Sequence, residues 1–302
     1  MMEQGDTLPV LQQYVLGTAG LGGVWDTIDP EISAGTILYA LESGMAAIDT
    51  APAYGDGELL VGKALRQWHG SRPEISTKVG RLKSFAPDKG VYDYSPDGMM
   101  RSVENSLRVL GISRLDTLFL HEPDAIPEPE ITAAVAKMVD FKRSGYTKKI
   151  GLGGNYPPSF LRYLDDGVFD VVMEFNRLNA CCTDALDTTL PDCYNRNITY
   201  WAASPLHMGL LGRRFRSFIG SPPEWLGKRY IDAASAVNRI AEACQLPLPS
   251  LALRFLQHIP FPVNIVIGPS DQKELTDSLA AIYQGPLGED VYNEILHNTK
   301  NK

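Results

Sequence analysis

The stretch Ala47-Ile48-Asp49-Thr50-Ala51-Pro52-Ala53-Tyr54-Gly55 decides how this chain is read: a short apolar run ends on a carboxylate, and a phenol follows in the turn beyond it. The pattern recurs with other chemistry. Ile75-Ser76-Thr77 runs into Lys78, and Thr117-Leu118-Phe119-Leu120 runs into His121. A carboxylate, a phenol, an ammonium and an imidazole at the C-terminal ends of successive strands are what a barrel enzyme needs to move a proton beside a carbonyl carbon. Asp49, Tyr54, Lys78 and His121 are therefore the candidate catalytic residues, and the chemistry they suggest is oxidoreduction.

Working outward, further apolar, β-branched runs appear at Tyr14-Val15-Leu16, Ile150-Gly151-Leu152, Val171-Val172-Met173, Ile198-Thr199-Tyr200-Trp201 and Ile265-Val266-Ile267, with helix-length segments between them. Continuous apolar runs suit strands buried on both faces, and strand-helix alternation implies right-handed parallel units. Eight such units close a barrel, so the expected fold is an α/β (β/α)8 TIM barrel forming one domain over residues 1–302. One helix is legible from its ends. Ser95 caps it, Pro96 opens it, Val103, Leu107 and Leu110 form its buried stripe, and Gly111 stops it. Similar packing stripes run through Leu38, Leu41 and Met45, through Val135, Met138 and Val139, and through Leu251, Leu253, Phe255 and Leu256. Two connections, 80–94 and 207–228, are long for α/β loops, and as both leave strand C-terminal ends they are candidate lids or substrate walls.

At 302 residues and 44% hydrophobic composition the chain can bury a large core. A net charge of −8 argues against a nucleic-acid or anionic-membrane surface. The opening Met-Met-Glu-Gln-Gly-Asp has neither a basic region nor an apolar one, and no run approaches a membrane span, so a soluble cytoplasmic protein is expected. Cys181, Cys182, Cys193 and Cys244 show no metal-binding spacing, nor do the scattered histidines, and no metal is expected.

The words around these residues resemble the aldo-keto reductase family: Asp-Thr-Ala-x-x-Tyr-Gly at 49–55, Ser-Thr-Lys at 76–78, Leu-His at 120–121, Ala-Ser-Pro-Leu at 203–206, and Ile-Gly before a helix at 267–268. They cover nearly the whole chain. Ala-Ser-Pro-Leu-x-Met-Gly-Leu-Leu at 203–211, followed by Pro-Pro-Glu-Trp at 222–225, is similar to the L-galactose dehydrogenase branch, whose members oxidise aldoses at C1 with a nicotinamide dinucleotide. The residues themselves support matching roles. A phenol titrates at about 10, so Tyr54 carries protons near neutrality only with a cation beside it, and Lys78 is that cation. Asp49 would orient Lys78, and His121 would hold the reacting oxygen. Singly, each residue has a duller role, such as a structural ion pair or a hydrogen-bonded core histidine; their conjunction after strands two, three and four decides against it.

The resemblance also implies a cofactor set. Gly17, Thr18 and Asp49 belong to it, and Asn155 stands one place after the Gly153-Gly154 that replaces the family's Ser-Asn pair. Glu174 occupies the position assigned to a glutamine, and Asn176 fits a small polar position. Ala203 replaces a ring-stacking aromatic, as in the galactose dehydrogenase branch. Backbone amides between Ser204 and Leu210, those of Leu206, Met208 and Gly209 among them, would meet the pyrophosphate, with Pro205 in the same cofactor-binding segment. Beyond strand eight, Gly268, Ser270, Lys273 and Ser278 would contact the adenosine half. Glu274 stands where NADP-specific relatives carry Arg, which favours NAD while leaving NADP open through Lys273.

Trp25, Tyr54, His121 and Trp225 would form the substrate site, since aromatic faces with polar groups suit a sugar ring. About 35 residues follow strand eight, enough for a helix and a tail. The first expectation is an aldose 1-dehydrogenase acting on an L-galactose-like hemiacetal. Two alternatives are an NADPH-dependent reductase of aldehydes or ketones, as in secondary metabolism, and a nucleotide-binding regulatory subunit with little turnover. The partner is a small carbohydrate or carbonyl compound.

Overall fold

The computed structural model describes residues 11–85 and 89–300. The opening hexapeptide and residues 86–88 of the 80–94 connection lie outside the described residues. Eight parallel strands, β1 (Tyr14–Gly17), β2 (Ala47–Asp49), β3 (Glu74–Val79), β4 (Leu115–His121), β5 (Thr147–Gly153), β6 (Val171–Phe175), β7 (Thr199–Ala203) and β8 (Val263–Ile267), pair in sequence order. β8 closes on β1, completing the expected barrel.

The outer layer is helical: α1 (Pro30–Glu42), α2 (Gly57–Gln67), α3 (Pro96–Leu110), α4 (Ile131–Arg143), α5 (Leu161–Asp165), α6 (Thr189–Asn195), α7 (Phe215–Gly220), α8 (Lys228–Ala243), α9 (Leu248–Phe255), α10 (Gln272–Tyr283) and α11 (Glu289–Lys300). α3 begins and ends as its sequence signals require, with the Ser95 side chain accepting from Gly98 N at 3.1 Å and Gly111 left-handed at φ 72°. On α4 the buried face runs through Ala134, Val135, Met138 and Phe141, so Val139 of the expected stripe faces solvent. The described parts of the long connections carry structure of their own. In 80–94, Arg81 and Tyr92 bridge as an antiparallel pair, and the middle of 207–228 coils into α7. The expected tail is a second helix, α11, packed on α8. No helix among the described residues is long and apolar enough to cross a membrane.

Strand alternation sorts side chains into two cores. Leu16, Ile48, Ile75, Leu118, Leu120, Ile150, Leu152 and Val172 face the helices, and Val15, Phe119, Val171, Met173, Trp201 and Val266 fill the barrel. Phe119 occupies the interior beside two glycines of β5: a Cβ on Gly151 would lie 2.8 Å from its ring and 2.7 Å from Val171 O, and one on Gly153 would lie 2.8 Å from Phe119 Cβ. Crowding of that kind costs about 1–3 kcal/mol. Gly151→Ala is expected to destabilise the protein by that amount, read as a lower urea midpoint at unchanged m-value.

Candidate active site

All the candidate catalytic side chains come to the C-terminal end of the barrel. Asp49 and Lys78 are inward-facing on β2 and β3, and Lys78 Nζ donates to Asp49 Oδ2 at 2.5 Å and to Thr50 O at 3.0 Å. Ser76 Oγ donates to the other carboxylate oxygen at 2.7 Å. Both side chains are about as buried as any in the protein, at 2% and 3% exposure. The ammonium also stands 4.6 Å from the centre of the Tyr54 ring.

Tyr54 sits in the turn that leads into α2. Its loop is pinned from both sides, by Asp56 N donating to Gly22 O at 2.9 Å and Gly55 N donating to Ser84 O at 3.0 Å. His121 ends β4 with its ring edge-on to Tyr54, centroids 5.8 Å apart. His121 Nδ1 is buried without a partner. Burial, then the nearby charges of Lys78 and Arg81, hold the imidazole well below the usual histidine range, so it is neutral. Burial is the largest influence on Tyr54 and raises its pKa; the Lys78 charge pulls the other way without overcoming it. The cation beside the phenol moderates the shift and does not reverse it, contrary to expectation. Burial likewise depresses Lys78, but the charges of Asp49 and Tyr54 bring it above its ordinary value. Such a group can pass a proton to or from an oxygen held beside Tyr54.

A cleft of about 890 Å3 leads from this end to α10. Its lining includes Gly17, Thr18, Trp25, Asp49, Tyr54, Ser204, Pro205, Leu206, Met208, Gly209, Gly268, Ser270, Lys273 and Ser278. Five other candidates, Lys78 among them, are absent from it. Glu174 points the opposite way, into the helical layer, where Thr189 Oγ1 and Tyr200 OH donate to it at 3.1 and 3.0 Å. Strand parity is the reason: Val171 and Met173 face inward, so Met173 meets the cleft in its place. Trp225 is 52% exposed and packs edge-on against Phe218. His121 meets the lining through its ring contact with Tyr54, and the amide oxygens of Asn155 and Asn176 are both buried without partners just beyond β5 and β6.

The turn after β7 is strained, with Ser204, His207 and Met208 all left-handed. Buried His207 anchors it, its Nδ1 3.1 Å from Asn179 Nδ2, with burial lowering its pKa to about 4. The His207, Gly209 and Leu210 amides are spent on carbonyls of Ser204, Leu206 and His207, so this loop offers a ligand fewer donors than its sequence suggests. Across the cleft, Arg213 and Arg214 reach Asp26 at 2.7 and 3.3 Å. Those arginines had no distinguishing sequence signal beyond lying in a long loop, whereas Met173 was available from parity.

Because His121 and His207 are neutral when folded and ionise near 6.5 when unfolded, the unfolded state binds more protons below that pH. Stability therefore falls as pH drops from about 6.5, by about 1.4 kcal/mol per unit for each histidine. Buried Glu58 and Glu174, with raised pKa values, act in the opposite sense. Urea titrations at pH 5, 6 and 7 of wild type, His121→Asn and His207→Asn are expected to show that each substitution removes about one histidine's share of the slope.

Residues 14–297 match the Aldo/keto reductase family. An NADH-specific methylglyoxal reductase of Escherichia coli strain K12 is 27% identical, over 92% of this chain and 92% of its own length. A D-threo-aldose 1-dehydrogenase of a Pseudomonas species is 26% identical, over 87% of this chain and 86% of its own. An L-galactose dehydrogenase of Arabidopsis thaliana is 25% identical, over 88% and 82%. The chain belongs to the aldo/keto reductase family and is an NAD(P)-dependent oxidoreductase of small sugar or carbonyl compounds.

Proposed function

We propose that this enzyme oxidises the C1 hemiacetal of a cyclic aldose, an L-galactose-like sugar, to its lactone, with NAD as acceptor. The observation that carries this reading is the conjunction of Tyr54, the buried Lys78–Asp49 pair and neutral His121 at one end of a cleft roomy enough for a dinucleotide. Two relatives named for aldose and galactose oxidation support the substrate class.

A nicotinamide held beside Tyr54 in this cleft would supply the acceptor for the C1 hydride. Tyr54, as the phenolate that Lys78 stabilises, takes the hydroxyl proton of the same carbon and becomes the neutral phenol. Neutral His121 donates a hydrogen bond to the reacting oxygen and fixes its position. The ring oxygen next to C1 stabilises the positive charge that develops as hydride leaves, which makes a hemiacetal an easier substrate than a simple alcohol. The unpartnered amide oxygens of Asn155 and Asn176 suit the hydrogen-bond donors of a carboxamide.

NAD is favoured by the α10 N-terminus. Its amides already serve the protein's own carboxylates, Ser270 N donating to Glu274 Oε2 at 2.9 Å and Glu274 N to Asp271 Oδ1 at 2.8 Å. Lys273 is paired with Asp277 at 2.6 Å and largely exposed. An additional phosphate here would face carboxylates and amides already in use, and Arg213, the other cation at this place, is itself paired with Glu274 at 3.5 Å and Asp26 at 2.7 Å. The same catalytic group runs in reverse, and the raised pKa of Tyr54 suits a phenol that donates a proton to an aldehyde, the direction named for the Escherichia coli relative.

The test is initial-rate formation of reduced nucleotide across aldoses including L-galactose, L-fucose and D-arabinose, with NAD and with NADP. A rate with one sugar and NAD, lowered about 100-fold or more in Tyr54→Phe, is expected. That rate should climb with pH through and above 10, as the phenol loses its proton. Consumption of NADPH by simple aldehydes with no aldose oxidised would sink the proposal. Separately, Glu274→Arg is expected to raise kcat/KM with NADP relative to NAD by about tenfold.

A further inference from the structure

The residue after His121 has an unusual backbone. Glu122 lies at φ 51°, ψ 65°, a left-handed conformation that a non-glycine side chain adopts only where its surroundings enforce it. Here they do so from three directions. Glu122 N donates to Gly153 O on β5 at 2.9 Å, and Glu122 O accepts from Ala125 N at 2.9 Å and from Tyr94 OH at 3.0 Å. The same Tyr94 hydroxyl lies 2.8 Å from His121 O. The carboxylate accepts from Arg81 NH1 at 2.6 Å and from Tyr92 OH. Arg81 and Tyr92 are the bridged pair of the 80–94 hairpin, and Tyr92 stacks on Tyr94. One carboxylate and one hydroxyl thus fasten Arg81, Tyr92 and Tyr94 to Glu122 and to the two peptides that follow His121.

The imidazole is buried, its Nδ1 has no hydrogen-bond partner, and its ring stands at right angles to that of Tyr54. We infer that Glu122 is a positioning residue for His121: by tying the 80–94 hairpin to the end of β4 and holding the left-handed turn, it sets where the imidazole stands relative to Tyr54. Arg81, whose charge reaches His121, is neutralised by the same carboxylate. This assignment rests on the proposed role of His121.

Glu122→Gly tests it, because glycine accepts the left-handed backbone without steric cost and removes only the side chain. The full-length protein is expected to keep its Kd for NADH within about twofold by fluorescence titration, while its thermal midpoint falls by a few degrees because Arg81 loses its carboxylate. Its kcat should fall at least tenfold in whichever direction wild type turns over, aldose oxidation or aldehyde reduction, and Glu122→Gln, which retains an acceptor for Arg81, should recover most of the loss. In 15N-histidine spectra the His121 ring signal, assigned by its disappearance in His121→Asn, should move in Glu122→Gly. A wild-type kcat or an unmoved ring signal in Glu122→Gly would overturn the inference, as would a loss of NADH affinity equal to the loss of kcat. Because the spectra need no turnover, failure of the aldose reading is separable from failure of this one.

Discussion

Everything at the catalytic end is arranged around one buried ion pair. Removing an ammonium and a carboxylate from water costs several kcal/mol per ion, and their attraction offsets this only when the geometry is good and the leftover hydrogen-bonding capacity is used. Lys78 and Asp49 meet both conditions, since Ser76 serves the second carboxylate oxygen and the Thr50 carbonyl takes another ammonium proton. Those partners come from adjacent strands whose register sets Asp49 opposite Ser76. The pair thereby specifies how β2 meets β3, and with it the departure of the loop that carries Tyr54. Function and local fold draw on the same contact.

The barrel was legible in the sequence because parallel strands buried on both faces are written as uninterrupted apolar runs, and each run read that way falls within a strand or, for Ile198, one residue before it. The catalytic cluster was legible for a related reason: polar residues at the ends of such runs break the apolar pattern. Placement on the correct face was harder. Glu174 is expected at the cofactor because it occupies the family's glutamine position, yet one position of strand alternation sends it to the helical layer and Met173 to the cleft. Trp225 failed for the opposite reason, since no periodicity governs a loop and its ring settled on Phe218.

Tertiary hydrogen bonding explains most of the remainder. The glycine- and serine-bearing turn after β7 reads as a row of free amides, but local turns consume them, and the left-handed residues there are held by a buried histidine from the same segment. The α10 N-terminus reads as an anion site with one lysine; in space its own acidic residues take up its amides. The direction of the Tyr54 shift could not be read from residue types either, because it is the outcome of burial against a single charge.

The fit of Phe119 against Gly151 and Gly153 bears on how such a floor diversifies. One large ring on β4 and two absent side chains on β5 amount to a single volume shared across a strand pair. Enlarging either glycine alone meets the ring, and trimming the ring alone opens a void inside the barrel. Lineages of this fold that retain the catalytic group should therefore trade bulk between these strands in compensated pairs, and redesign of the floor for larger or smaller substrates has to begin with such exchanges.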